Sequence, residues 1–160
     1  MARSAAADYA ALAGFVLLCA AISGLGGWAT AGSVSTWYPT LAKPPFNPPN
    51  WVFAPVWSTL YLMIALAGWR AWRRSGGAER RLALTAYGVQ LGLNLSWSFV
   101  FFGAQLIGPA LAVIVALLAA ILVNARLFWR IDRAAGALLV PYAAWVSFAT
   151  LLNAALWRLN

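Results

Sequence analysis

Residues 37–57 read WYPTLAKPPFNPPNWVFAPVW. Six of the chain's eight prolines fall here, Pro39, Pro44, Pro45, Pro48, Pro49 and Pro55, with six aromatic residues and a single charge, Lys43. Proline fixes φ and donates no N–H, so the segment cannot be continuous helix. On both sides the chain runs apolar for long stretches. The segment is therefore a stiff break that decides where the first helix ends and where the chain turns back.

The flanking composition gives the class. Of 160 residues, 64% are hydrophobic and only 9% charged, with a mean hydropathy of +0.79. Soluble domains carry about 25% charged residues. Most of this surface does not meet water, and an all-α integral membrane protein with one domain over residues 1–160 is expected. The net charge of +8 does not imply nucleic acid, because the basic residues lie between apolar spans and form no recognition motif. The single cysteine, Cys19, reads as a small buried hydrophobe. There is no histidine, and the only acids are Asp8, Glu79 and Asp132. Those counts remove the Ser-His-Asp triad, paired-carboxylate chemistry and the usual transition-metal site, so no metal and no obligatory cofactor is expected.

A helix needs about 20 mostly apolar residues to cross the hydrocarbon core. Five spans qualify, at about 9–31, 51–72, 82–103, 107–129 and 135–157. The first follows Arg3 but is longer than the apolar core of a signal peptide, so it reads as a retained helix. Asn50 is placed to cap the second span, and Pro55 marks either its first turn or a kink. Gly76 and Gly77 break the chain within the basic loop 70–81, Pro109 suits the first turn of the fourth span, and RIDRAAG at 130–136 is a polar turn. Five spans put Arg3, Arg70, Arg73, Arg74, Arg80, Arg81, Arg126, Arg130 and Arg133 on one side, against Lys43 and Arg158 on the other. The positive-inside rule then places the N-terminal side in the cytoplasm and the proline-rich loop outside, which favours a bacterial inner membrane. The odd number of spans and the lack of a repeat argue against an inverted-repeat transporter.

Within the spans, some polar and aromatic residues recur at helical spacing. Phe53, Trp57 and Tyr61 share a face of the second span. Gln90, Asn94 and Trp97 or Ser98 share one of the third. Trp145, Ala149 and Leu152 or Asn153 share one of the fifth, with Phe148 close by. Intramembrane amides should face the bundle interior. Two readings follow: a pocket in which a flat apolar ligand stacks on indoles while an amide orients it, or ordinary packing with amides bonded across helices. Periodicity alone favours packing. Trp28, Trp69, Trp72, Trp129 and Trp157 lie near span ends and fit the aromatic belt. Gly88 and Gly92 form a GxxxG that marks either a homodimer face or a close contact within the chain.

Together these residues resemble the translocator protein family, the TspO/MBR or tryptophan-rich sensory proteins, over essentially the whole chain. The similarity rests on four blocks in order. They are Trp37-Tyr38 through Lys43-Pro44 and Asn47-Pro48-Pro49 to Trp51; Ala54-Pro55-Val56-Trp57-Ser58-Thr59-Leu60-Tyr61; Gln90-Leu91 through Asn94 and Trp97 to Phe101-Phe102-Gly103; and Pro141-Tyr142 through Trp145 and Phe148 to Asn153 and Trp157-Arg158. The resemblance implies a five-helix bundle, a homodimer, and a pocket opening toward the first loop. It implies porphyrins such as protoporphyrin IX and haem as ligands, with synthetic isoquinoline carboxamides and benzodiazepines. Pocket positions map to Phe53, Trp57, Tyr61, Asn94, Trp97, Trp145, Phe148, Ala149 and Leu152. Trp37, Phe46 and the proline-rich segment would form a lid. Outer membranes are also known locations for the family.

Two departures stand out. Ser98-Phe99 follows Trp97 where the family often has proline, which leaves the end of the third helix open. The sterol-associated motif of mammalian members lacks its tyrosine, having Ala154-Ala155-Leu156-Trp157 instead, which counts against sterol binding. A binding or sensing protein is the favoured function. The alternatives are a tetrapyrrole or lipid transporter, and light-dependent porphyrin degradation at Trp57 and Trp145. No acid lies at the centre of a span, which weakens ion-coupled transport.

Overall fold

The computed structural model describes residues 4–160, and Arg3 lies outside the described residues. Helix α1 covers Ala5–Thr36, with Ser4 as N-cap accepting the Ala7 N–H at 3.3 Å. After a 3₁₀ turn at Tyr38–Thr40, the chain runs extended and turned to α2, Asn50–Arg74. The cap at the start of α2 is Pro49 rather than Asn50, which is already helical and makes no capping bond. Pro55 sits inside α2. Its missing N–H frees only the Trp51 carbonyl, in the exposed first turn.

Helix α3, Gly77–Ser98, continues into a π-helical turn at Phe99–Gly103, so the chain widens its helix directly after Ser98. Gly77 has φ +52°, which lets the basic loop turn directly into α3. Helix α4 is Ile107–Ile131. The expected fifth span is divided. Asp132 caps a short α5, Arg133–Leu138, and α6 is Val140–Leu159. The reason is Pro141, which has no N–H to give the Ala137 carbonyl.

The protein is an integral, multi-pass membrane protein. Helices α1, α2, α4 and the α5–α6 pair are long and apolar enough to cross a bilayer. Helix α3 has the length, 22 helical residues and five in the π turn, but is less apolar. Its start carries Glu79, Arg80 and Arg81, and its middle carries Gln90 and Asn94, which are 0% and 2% exposed and turn into the bundle. Large apolar side chains such as Leu17 and Leu25 on α1, Leu122 and Val123 on α4 and Leu151 on α6 face outward. In water that surface would be costly; in lipid it is the expected exterior.

The core joins Ile64 and Ala67 of α2, Tyr87 and Leu91 of α3, Ile114, Leu117 and Phe128 of α4, and Tyr142 and Val146 of α6. At Gly68 the helices approach so closely that a Cβ would lie 2.8 Å from the rings of Phe15 and Tyr87. Ion pairs fasten this half of the bundle. Arg73 meets Asp8 at 3.0 Å, while Arg70 and Arg74 meet the buried Asp132 at 2.6 and 3.9 Å. Burial pushes the Asp132 carboxyl up, but the Arg70 hydrogen bond and charge, the Ala134 N–H and Arg74 together hold it below the usual carboxylate range. These pairs bring the start of α1, the end of α2 and the α4–α5 junction to one end. Trp69 and Trp72 also belong to that end rather than to a simple belt. The Trp69 indole donates to the Asp8 carbonyl at 3.2 Å, and Arg80 lies 5.4 Å over the Trp72 ring. Trp28, Trp129 and Trp157 are exposed, as a belt requires.

Candidate functional site

At the other end α1 changes neighbours. Near Phe15 it packs on α2, but toward the loop it leans on the end of α3. A Cβ at Gly26 would lie 3.4 Å from Ser98 Oγ, and Ser33 Oγ donates to the Phe102 carbonyl at 2.6 Å. The loop-side halves of α1 and α2 are thereby parted, and a cavity of about 370 Å³ lies behind the gap.

Three helices supply the aromatic and amide wall. Phe53, Trp57 and Tyr61 come from α2, Asn94 and Trp97 from α3, and Trp145, Ala149 and Leu152 from α6. Phe53 meets Trp145 edge-on at 6.0 Å, Trp57 lies 5.6 Å from Tyr61, and Trp97 stacks on Phe101 at 5.2 Å. Among the described residues, no charged side chain lines the cavity. Its side between α1 and α2 is open, where Gly27, Ala31, Ala54 and Ser58 are exposed.

The polar floor is occupied by its own bonds. The Tyr61 hydroxyl donates to Asn94 Oδ1 at 2.7 Å, Asn94 Nδ2 donates to the Tyr142 hydroxyl at 2.8 Å, and Tyr142 donates to Gln90 Oε1 at 2.9 Å. The Asn94 carboxamide therefore spends its first bonds on two tyrosines, and only its spare lone pair and second N–H remain for a ligand. Asn153 likewise accepts from the Trp97 indole at 3.0 Å and donates to the Ile107 carbonyl at 2.9 Å. The Trp145 indole N–H is buried with no partner among the described residues.

Three of the expected positions stand off the cavity. Trp37 follows the last turn of a long α1 and packs edge-on against Phe101 at 5.6 Å. Phe148 lies behind Trp145 at 5.5 Å, and Phe46 packs on Phe148 at 6.3 Å. Of residues 37–50, only Tyr38 and Asn50 line the cavity. Burial pushes the Tyr38 phenol up to about 12, so it remains a neutral donor to Asn47 Oδ1 at 2.6 Å. Gly88 and Gly92 make no close contact inside the chain, since a Cβ at either would meet no atom within 4 Å.

The sequence reading missed a whole wall. Ser23, Gly26, Gly27, Thr30, Ala31 and Val34 of α1 line the cavity, as do Phe101 and Phe102 from the π turn. The available signal was the run of small residues at i, i+3 or i+4, and i+7 or i+8 along α1.

The chain matches the model of the TspO/MBR family over residues 15–158. It is 39% identical over 145 residues to the tryptophan-rich protein TspO of Archaeoglobus fulgidus, covering 91% of this chain and 94% of that one. It is 36% identical over 149 residues to the translocator protein of Bos taurus, covering 92% and 88%. It is 36% identical over 156 residues to the tryptophan-rich sensory protein of Cereibacter sphaeroides, covering 96% and 93%.

Proposed function

Because the chain belongs to the TspO/MBR family, we propose that it is a membrane binding or sensing protein for porphyrins, protoporphyrin IX and haem among them, and for apolar ligands such as isoquinoline carboxamides and benzodiazepines. The observation that carries this reading is the uncharged cavity walled by Phe53, Trp57, Trp97 and Trp145. Flat aromatic ligands gain from stacking on such rings. The chain has no histidine, no cysteine or methionine among the described residues lines the cavity, and the Tyr38 and Tyr61 hydroxyls that do line it already donate to Asn47 and Asn94, so the macrocycle is held by its faces and not through its iron. Its acidic edge stays at the open side, since no cation lines the interior. Titration of tryptophan fluorescence with protoporphyrin IX and with haem is the test. Similar affinity for both, weakened by Trp145→Ala, is expected. Unchanged affinity in Trp145→Ala moves the site elsewhere.

Trp57 and Trp145 both line the cavity, which sustains light-dependent porphyrin degradation as a second reading. Under it, Trp57→Phe and Trp145→Phe slow bleaching under illumination while binding persists; equal bleaching removes it.

The N-terminal side lies in the cytoplasm of a bacterial inner membrane, from the distribution of arginines. Two copies pair through the open α3 face at Gly88 and Gly92. Gly92→Leu is expected to abolish the dimer in crosslinking or sedimentation and leave the monomer folded. A dimer that persists places the interface on another helix.

A further inference from the structure

The segment between α1 and α2 is tied mainly to itself. Leu41 N–H donates to the Tyr38 carbonyl at 3.3 Å, Asn47 N–H to the Pro44 carbonyl at 3.0 Å, and Tyr38 to Asn47. Among the described residues, one side chain hydrogen-bonds this segment to the rest of the bundle. Asn160, just past α6, accepts the Ala42 N–H on Oδ1 at 2.9 Å and returns Nδ2 to the Ala42 carbonyl at 3.0 Å. Nδ2 also donates to the Leu156 carbonyl at 2.9 Å, which anchors the carboxamide to the end of α6.

One residue's N–H and C=O are thus both engaged by one amide, as an opposing residue engages them in an antiparallel sheet. The pairing reads only backbone, so it tolerates any residue at position 42 except proline. It demands a donor and an acceptor together at position 160, which an amide supplies and a carboxylate or hydrocarbon does not. Helix α6 is also the helix of Trp145, Ala149 and Leu152. The same strap lays Phe46 against Phe148, directly behind Trp145.

We propose that Asn160 is a positioning residue that latches the 41–48 strap onto α6 and thereby sets how fast a bound ligand leaves the cavity. This rests on the reading that the cavity binds a ligand. The latch costs little to open, being two hydrogen bonds near the membrane surface. The prolines keep the unlatched strap from exploring many conformations, so it closes again without a large entropic loss.

Two measurements on Asn160→Ala, Asn160→Asp, Asn160→Gln and Ala42→Pro test it, with the full chain in lipid nanodiscs. The first is amide hydrogen exchange over residues 41–47 without ligand. The second is the rate at which bound protoporphyrin IX is lost to an excess of lipid vesicles. In Asn160→Ala and Asn160→Asp, exchange should quicken and dissociation should accelerate roughly five- to thirtyfold, the scale of one to two net hydrogen bonds. Ala42→Pro, which removes the N–H and leaves the carbonyl, should fall between wild type and Asn160→Ala in dissociation. Asn160→Gln should recover part of the wild-type rate, and the double variant Ala42→Pro with Asn160→Ala should be no faster than Asn160→Ala alone. The thermal midpoint should hold throughout, which a general structural role would not allow. Unchanged exchange overturns the latch. Faster exchange with unchanged dissociation overturns the gating role and leaves the cavity as the binding site. A wild type that takes up no protoporphyrin IX overturns the binding reading itself, and gating with it.

Discussion

Replacing Gly27 with leucine places a side chain in the cavity without disturbing the packing around it. Gly27 lines the cavity on α1, and a Cβ built there meets no atom within 4 Å. The helix itself gains, because glycine is about 1 kcal/mol worse than alanine in a helix interior. Leucine adds about four carbons, which displace a comparable number of ligand atoms from the wall. At ~0.8 kcal/mol for each buried methylene equivalent, the loss is ~3 kcal/mol. That corresponds to a dissociation constant on the order of a hundred times larger. Quenching of tryptophan fluorescence by protoporphyrin IX in detergent measures it, with the thermal midpoint followed in parallel. Gly24→Leu is the control, since Gly24 also has free space around it but does not line the cavity. Wild-type affinity in Gly27→Leu, at a midpoint no lower than that of wild type, would refute the assignment of this cavity as the binding site.

Gly68→Ala should lower stability by about 1–3 kcal/mol in detergent unfolding, because the new methyl would press on two rings and the Tyr87 hydroxyl is tied to Cys19 and the Ile64 carbonyl. Asn94→Leu should cost about 1–2 kcal/mol by the same measurement, since the Tyr61 and Tyr142 hydroxyls lose a buried partner, and it should weaken porphyrin quenching. Asp132→Asn should cost about 1–3 kcal/mol at neutral pH, less than a fully buried pair because Arg70 is partly exposed. The folded Asp132 carboxyl titrates below its unfolded value near ~4, so its stabilisation is complete above that value and is lost as pH falls through the lower folded one. Thermal midpoints below about pH 4 should therefore fall less steeply in Asp132→Asn than in wild type.

The sequence was legible where chemistry repeats at helical spacing. Phe53, Trp57 and Tyr61 recur every fourth residue and line one wall, and Trp145, Ala149 and Leu152 line another. The helix count was legible from length and hydropathy, although α3 is the least apolar because Gln90 and Asn94 point inward. The α1 wall was hidden for the opposite reason. Gly26, Gly27 and Ala31 act by leaving space, and an absent side chain carries no chemical signature. Phe148 stands behind Trp145 rather than on the cavity because spacing gives a face but not the distance from a cavity, and Trp37 and Phe46, expected in a lid from the resemblance, pack on Phe101 and Phe148. The pairing of Ala42 with Asn160 joins residues 118 positions apart and leaves no periodic trace.

The inward amides of α3 also bear on how the chain is assembled. A helix with Gln90 and Asn94 at its middle is a poor occupant of lipid on its own. Only residues 104–106 separate it from α4, the most apolar of the spanning helices. The two are therefore suited to enter the bilayer as one hairpin, the second carrying the first. Tyr61 is synthesised before Asn94, but Tyr142 follows it by 48 residues. Until α6 arrives, Asn94 Nδ2 and Gln90 Oε1 lack the partner that the finished bundle gives them. A chain halted before α6 would expose polar groups inside the membrane, which is the kind of mark by which unfinished membrane proteins can be told from finished ones.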